Sequence, residues 1–157
     1  MRLGLINATV ICFALGACQA VPALPEVSEA TPQRPHSHRV IPVSNQEDYF
    51  NAATNAQPGD QVVLQNGVWR DFDMLLDAEG TIETPITVSA ETPGKVILSG
   101  QSSLRLAGKH LVISGLVFRE GYTPRTEVIS FRRDNDNLAY NSRVTETVIE
   151  NYSNPTR

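Results

Sequence analysis

Cysteine is nearly absent: the 157 residues hold Cys12 and Cys18 alone, and Cys12 lies inside the apolar stretch from Leu3 to Leu15. If that stretch is a cleaved leader, one thiol remains, and no intramolecular disulfide can form. Stability must then come from packing. Lysine is as scarce, with only Lys95 and Lys109. Each lies in a turn without acidic and amide partners around it, and reads as a solvated turn residue rather than a catalytic base. No apolar run reaches the ~20 residues that a membrane span requires. No helical pattern of a dozen residues separates any two strand candidates, which argues against a βαβ architecture. Positive charge is also short. The chain has 13 basic and 17 acidic residues, and without Met1–Ala17, which contains Arg2 and no acid, 12 against 17, a net charge of −5. That balance is poor for a general polyanion binder and argues against a nucleic-acid partner.

What is present at the N-terminus is an export address. Met1-Arg2 makes a minimal positive n-region, and residues 3–15 form an apolar h-region interrupted only by Asn7 and Thr9. Leu15-Gly16-Ala17-Cys18 follows and resembles the lipobox of bacterial lipoproteins, in which small residues precede a cysteine that is lipidated before cleavage. On this reading residues 1–17 are a signal peptide, and Cys18 is the lipid-anchored first residue of the mature protein. Gln19 rather than Asp after the cysteine favours, by the same resemblance, an outer-membrane lipoprotein facing the periplasm or the cell surface. Residues 18–42 then form a tether, with Pro22, Pro25, Pro32, Pro35 and Pro42 among Ser, Thr, Glu and Gln. His36 and His38 lie in it, but two histidines without further ligands do not close a metal site, and they read as exposed linker residues.

The folded part is expected over residues 43–157. Ser44-Asn45-Gln46-Glu47 reads as a capping box. Tyr49, Phe50, Ala52, Ala53 and Ala56 follow at helical spacing, and Pro58-Gly59-Asp60 closes the helix. Beyond it, short strands are expected at 61–64, 86–90, 95–99, 104–106, 111–118, 128–131 and 143–150, punctuated by glycine and proline. Leu104, Leu106, Leu111 and Ile113 should point one way, with Arg105, Lys109 and His110 outward or in the turn. Asn66-Gly67 does not signal a hairpin, because Val68-Trp69-Arg70-Asp71 does not match what precedes it. Two all-β options stay open on these grounds, a sandwich and a solenoid, and the spacing of strand starts favours the solenoid.

A family resemblance extends this reading. The run from Ala56 to Trp69, Ala-Gln-Pro-Gly-Asp-Gln-Val-Val-Leu-Gln-Asn-Gly-Val-Trp, is similar to the opening of the polysaccharide lyase family that contains alginate lyases and chondroitinase B. Further pieces match in order: Gly80-Thr81, Pro85 to Val88, Pro93 to Val96, Ser99 to Ser102, Leu104 to Gly108, Leu111 to Phe118, Arg143 to Thr145, and Val148 to Tyr152. The resemblance implies an all-β, right-handed parallel β-helix with a short N-terminal capping helix. It also implies cleavage of a uronate-containing polysaccharide by β-elimination, alginate in preference to dermatan or chondroitin. That reaction requires the uronate carboxylate to be neutralised, a base for the C5 proton and an acid for the leaving oxygen. In the family a calcium ion neutralises, a lysine is the base and an arginine assists. Those residues lie in middle coils beyond the matched stretch, so no catalytic residue is carried over.

Local candidates are few. Asp134-Asn135-Asp136-Asn137 starts like a calcium loop, but Leu138 replaces an oxygen ligand and no glycine follows in place, so a polar loop between coils is expected. Arg132 and Arg133 are the candidate contacts for an acidic glycan, because guanidinium forks match carboxylates, although Asp134 and Asp136 stand ready to screen them. Trp69 and Tyr122 are candidates to stack on sugar rings, with Trp69 better suited to covering the first coil beside the capping helix. At ~20–25 residues per repeat the folded part makes about five coils. Residues after Val148 show no closing helix or charged edge, so the chain reads as part of a longer lyase. A non-catalytic β-helix that binds glycan or builds the envelope is the alternative, and an all-β sandwich adhesin a third.

Overall fold

Val, Ile and Leu at alternate positions in short runs bury one face of each strand and leave the other polar. In the computed structural model, which describes residues 38–154, these runs form three parallel sheets wound into a β-helix. The expected signal peptide, Cys18, His36 and most of the tether lie outside the described residues. The chain enters through β1 (Val40–Val43) and α1 (Gln46–Thr54). Three coils follow: β2 (Gln61–Leu64), β3 (Gly67–Arg70) and β4 (Asp73–Glu79); β5 (Ile86–Ala90), β6 (Val96–Gln101) and β7 (Ser103–Lys109); then β8 (Leu111–Ser114), β9 (Leu116–Tyr122) and the short β10 (Ile129–Ser130) and β11 (Ala139–Tyr140). A further coil begins with β12 (Arg143–Thr145) and β13 (Val148–Ser153). The first sheet runs β1-β2-β5-β8-β12 and the second β3-β6-β9-β13; in the third, β4, β10 and β11 all pair with β7.

Parallel register stacks like on like. On the first sheet Ile41, Val62, Val88, Ile113 and Val144 fall on one another. On the second, Trp69, Leu98, Phe118 and Ile149 do the same. On the third, Met74 meets Leu104 and Leu76 meets Leu106. Val62, Val88, Ile113, Leu98, Phe118, Met74, Leu104, Leu76 and Leu106 are fully buried. At ~25 cal/mol per Å² of apolar surface removed from water, this column supplies the main drive for winding.

The helix caps the column. Tyr49, Ala52 and Ala53 are buried, and the Tyr49 hydroxyl donates to the Leu75 carbonyl at 3.1 Å. Burial without a charged partner pushes the Tyr49 hydroxyl pKa up. Trp69 stacks on Phe72 with ring centroids 5.3 Å apart and donates its indole N–H to the Gln65 carbonyl at 3.1 Å. It thus covers the first coil and offers no face to a sugar. The cap itself sits one residue later than Ser44–Glu47: Asn45 is the N-cap, and its side-chain oxygen accepts from the Asp48 amide at 2.9 Å. The Asp48 carboxylate accepts from the Ser44 hydroxyl at 3.0 Å.

Several strand boundaries differ from the sequence expectation. β1 starts at Val40 and pairs with β2, so the sheet begins inside the stretch read as tether. Arg39, just before it, holds the buried Asp60 at 2.6 Å. Burial raises the Asp60 pKa, but the Arg39 guanidinium and the Gln57 amide outweigh it and hold the carboxyl below its usual range. Residues 67–70 and 73–79 are strands that were not expected, because their partners lie a full coil away. The runs at 111–118 and 143–150 each break into two strands at a corner. Among the described residues three complete coils are formed rather than about five. Residues before β2 go into the cap, and loops 123–128 and 131–138 lengthen the third coil. The register shows it: Val62, Val88, Ile113 and Val144 are 26, 25 and 31 residues apart.

Close approach of coils is most demanding at Gly108. Its φ is +100°, and a Cβ there would lie 1.9 Å from the Ala78 carbonyl oxygen of the coil below. Gly94 has φ +81° with nothing within 4 Å. Gly108→Ala should therefore destabilise the fold by ~3 kcal/mol or more, and Gly94→Ala by only ~1 kcal/mol. Urea unfolding midpoints of the two variants measure the difference; equal midpoints would contradict the stacking described.

Candidate functional site

Alternation on the third sheet turns Asp73, Leu75, Asp77 and Glu79 of β4 outward, and beside them Ser103, Arg105, Ala107 and Lys109 of β7. Over this face the third coil lays its long excursion between β9 and β12, carrying Arg125, Glu127, Arg132, Arg133 and Asp134. The result is a lattice of ion pairs. Asp73 accepts from the Ser103 hydroxyl at 2.6 Å, from Arg105 Nη2 at 3.2 Å and from Arg125 Nε at 3.1 Å, with Arg125 Nη2 closing a bidentate fork. Arg133 reaches Asp77 and holds Asp134 at 3.0 Å. Its carbonyl accepts from Arg105 Nη1 at 3.2 Å. Arg132 pairs with Glu127 at 3.3 Å, and Lys109 with Glu79 at 3.7 Å.

Asp73 is the electrostatic centre of this face. Partial burial raises its pKa, but the fork from Arg125, the Ser103 hydroxyl and the Arg105 and Arg125 charges outweigh it, lowering it to about 2. Arg125 and Arg133 belong to the third coil, while Asp73 and Asp77 belong to the first. The two pairs therefore strap the excursion across two rungs of sheet. Beside the strap, Asp77, Glu79, Lys109, Asp136, Asn137 and Tyr140 line a groove of about 210 Å³. Three carboxylates against one lysine line it, a balance that suits a cation or a donor-rich ligand better than an acidic glycan.

Arg132 and Arg133 do stand on this exposed face, side by side, each already engaged by a carboxylate. Asp134 screens Arg133 as expected. The Asp134–Asn137 stretch is a polar loop tip: Asp134 Oδ1 accepts from the amides of Asp136 and Asn137 at 3.0 and 2.9 Å and from the Asn137 side-chain nitrogen at 2.7 Å. The Asn137 amide, Arg133 and those two amides lower the Asp134 pKa. These residues do not fit calcium, because the carboxylate is filled with donors and Asn137 turns its nitrogen to it. Among the described residues no group of three or more His, Cys, Asp and Glu side chains is placed to hold a metal. Lys95 and Lys109 are both exposed in or beside turns. Tyr122, 37% exposed at the end of β9, remains available as a stacking surface.

Sequence reasoning missed Asp73, Arg105 and Arg125 as a unit. Arg105 is legible as an outward strand residue by alternation. Arg125, in the Thr-Pro-Arg-Thr loop, meets Asp73 across 52 residues, and no local pattern reports such a contact.

Set beside known proteins, the sequence profile of chondroitinase B matches residues 43–157. The solved PL6 family alginate lyase AlyGC has a TM-score of 0.72 and is 56% identical, the match covering 74% of this chain and 16% of that one. A PL6 family polysaccharide lyase from Pseudopedobacter saltans has a TM-score of 0.61 at 32% identity, over 69% of this chain and 24% of its own. A mannuronic-acid-specific family 6 lyase from human gut microbiota has a TM-score of 0.65 at 28% identity, over 72% and 26%. The chain thus spans between 16% and 26% of the length of these relatives. No curated protein matches it.

The depressed pKa of Asp73 sets a pH window. Its contribution to stability is complete above the unfolded carboxyl value of ~3.9 and is lost as pH falls through about 2. Asp73→Asn should lower stability at neutral pH by ~1 kcal/mol, since the pair is partly exposed and screened. The gap between the two urea midpoints should close below pH ~2. A gap that persists in acid would show that the carboxylate charge is not what holds the strap.

Proposed function

Since the chain belongs to the chondroitinase B family, we propose that it is the N-terminal part of a lipid-anchored lyase that cleaves a uronate-containing polysaccharide by β-elimination, with alginate as substrate. The observation that carries this reading is the 56% identity to an alginate lyase over 74% of this chain. That level of identity is well above what a shared β-helix alone demands. In such an enzyme this segment supplies the capped entrance of the β-helix, on which later coils stack. The base, the acid and the group that neutralises the uronate carboxylate belong to those later coils, with calcium the neutraliser. Arg132 and Arg133 are the residues that the sequence singles out to meet the glycan. An incoming uronate carboxylate must displace Glu127, Asp77 or Asp134 from them, so each contact contributes little net affinity.

The anchor completes the proposal. Cys18, after Leu15-Gly16-Ala17, carries the lipid, and the proline-rich residues 19–42 separate it from the β-helix. Among the described residues no helix is long and apolar enough to cross a membrane. A lipid at Cys18 would hold the protein at the outer membrane, where extracellular polysaccharide is met. A non-catalytic envelope β-helix is the second reading. The net negative charge and the self-paired arginines of the third sheet favour it for this segment taken alone.

Two measurements decide. Growth with an alkyne-tagged fatty acid should label the wild-type chain, and Cys18→Ser should abolish the label; a labelled Cys18→Ser protein would remove the anchor assignment. The coding sequence beyond Arg157 should continue into further coils with a lysine, an arginine and clustered Asn and Glu. That longer product, given alginate and calcium, should release unsaturated uronate visible by ultraviolet absorbance, and this segment alone should not. No release from the longer product on alginate or dermatan would leave the envelope-module reading.

A further inference from the structure

At the corner between the third and first sheets backbone hydrogen bonds tie successive coils together. Gly80 donates to the Lys109 carbonyl at 2.9 Å, His110 donates to the Tyr140 carbonyl at 3.0 Å, and the His110 carbonyl accepts from Ile86 at 3.1 Å. His110 and Asn141 hold equivalent places in successive coils, both left-handed, at φ +52° and +51°. These main-chain bonds hold the corner without using the side chains of His110 and Asn141. Both residues line a cavity of about 190 Å³ together with Thr81, Ile82, Pro85 and Arg143.

Three features of that lining point the same way. Its nitrogen-bearing side chains are the Arg143 guanidinium, the Asn141 amide and the His110 ring, and no carboxylate lines it. Glu83, in the same turn as Ile82, is not among the lining residues. Secondly, six of the eight arginines among the described residues, all but Arg70 and Arg143, are held in ion pairs. Arg143 is the unpaired one that opens into this cavity. A guanidinium fork without an internal carboxylate is matched to an external one. Thirdly, the opposite wall is apolar: Ile82 is 76% exposed, and Pro85 lies beside it. A bare inorganic anion would leave that wall unused. The volume is below the ~300 Å³ of sites for drug-sized ligands and suits a single ring.

We propose that this corner is a glycan-binding site that takes one uronate residue, its carboxylate on Arg143 and His110 and its ring against Ile82 and Pro85. The preference for an anion with an apolar face follows from the cavity. The choice of a uronate is built on the lyase reading given above. Such a site would hold an acidic chain to the protein by one sugar at a time, a weak contact that gains strength when several are engaged together.

The test titrates the isotope-labelled full chain with sodium D-glucuronate, followed by NMR, with glucose and sodium sulfate as parallel probes. Glucuronate should shift the amides of His110, Asn141 and Arg143 saturably, and glucose should not. Arg143→Ala should weaken glucuronate binding ~10-fold or more, with Arg143→Lys between, since lysine keeps the charge and loses the fork. Ile82→Ser should weaken glucuronate and leave sulfate unchanged. An unshifted urea midpoint in each variant shows that the loss is not unfolding. Shifts that arise elsewhere, an Arg143→Ala affinity equal to wild type, or sulfate binding as tightly as glucuronate would each overturn the proposal. Failure of the lyase reading is separate: it appears as absent unsaturated product from the longer chain while glucuronate still binds at this corner.

Discussion

Each coil of this protein has half a core. The inward residues of one coil, such as Val88, stack on their counterparts above and below, Val62 and Ile113, within one continuous core. Sheets that pack face to face bury side chains between layers; a solenoid buries them along its axis, and each layer depends on the next. The ends are therefore the weak places. The aromatic cluster of Tyr49, Phe72 and Trp69 under the helix closes one end. Val148 and Ile149, in β13, continue the ladder of the coil before them.

The same constraint decides where variation goes. Strand positions cannot shift without breaking the stack on all three sheets, so extra residues leave at corners. The third coil largely follows this rule: its register is kept along β8, shifts once in β9 after Phe118, and the remaining added length emerges in the loops before and after β10. Those loops return over the third sheet and are tied there by Arg125 and Arg133 to carboxylates two rungs away. The corner residues are likewise released from core duty. His110 and Asn141 repeat a backbone conformation while differing in chemistry, which is how a periodic scaffold displays non-periodic function.

Family membership gives this scaffold its context. The match covers most of the folded residues but a sixth to a quarter of the length of the solved lyases. A β-helix of this kind is extended by adding coils, and chemistry carried by middle coils is independent of the side chains that start the ladder. The segment described here contributes the cap, the register and an outer surface. That surface is largely self-neutralised on the third sheet and donor-rich at the corner beside Arg143.

Periodicity and punctuation in the sequence were enough for the all-β class. Alternating Leu104, Leu106, Leu111 and Ile113 mark a buried face, and all four are fully buried. The absence of long helical patterns excludes crossover helices, and the ordered run of family-like segments selects the solenoid over the sandwich. Strands at 67–70 and 73–79 were not legible, because a strand whose partner lies a coil away carries no hairpin signal. The coil count was not legible either, since loop length within a coil is free while register is not. Arg132 and Arg133 could be singled out by charge, but their partners Glu127 and Asp77 could not all be named. Asp77 is 56 residues from Arg133, and only winding brings them together. Local chemistry is written along the chain; which charges neutralise one another, and which arginines are left out of ion pairs, is decided by the register between coils.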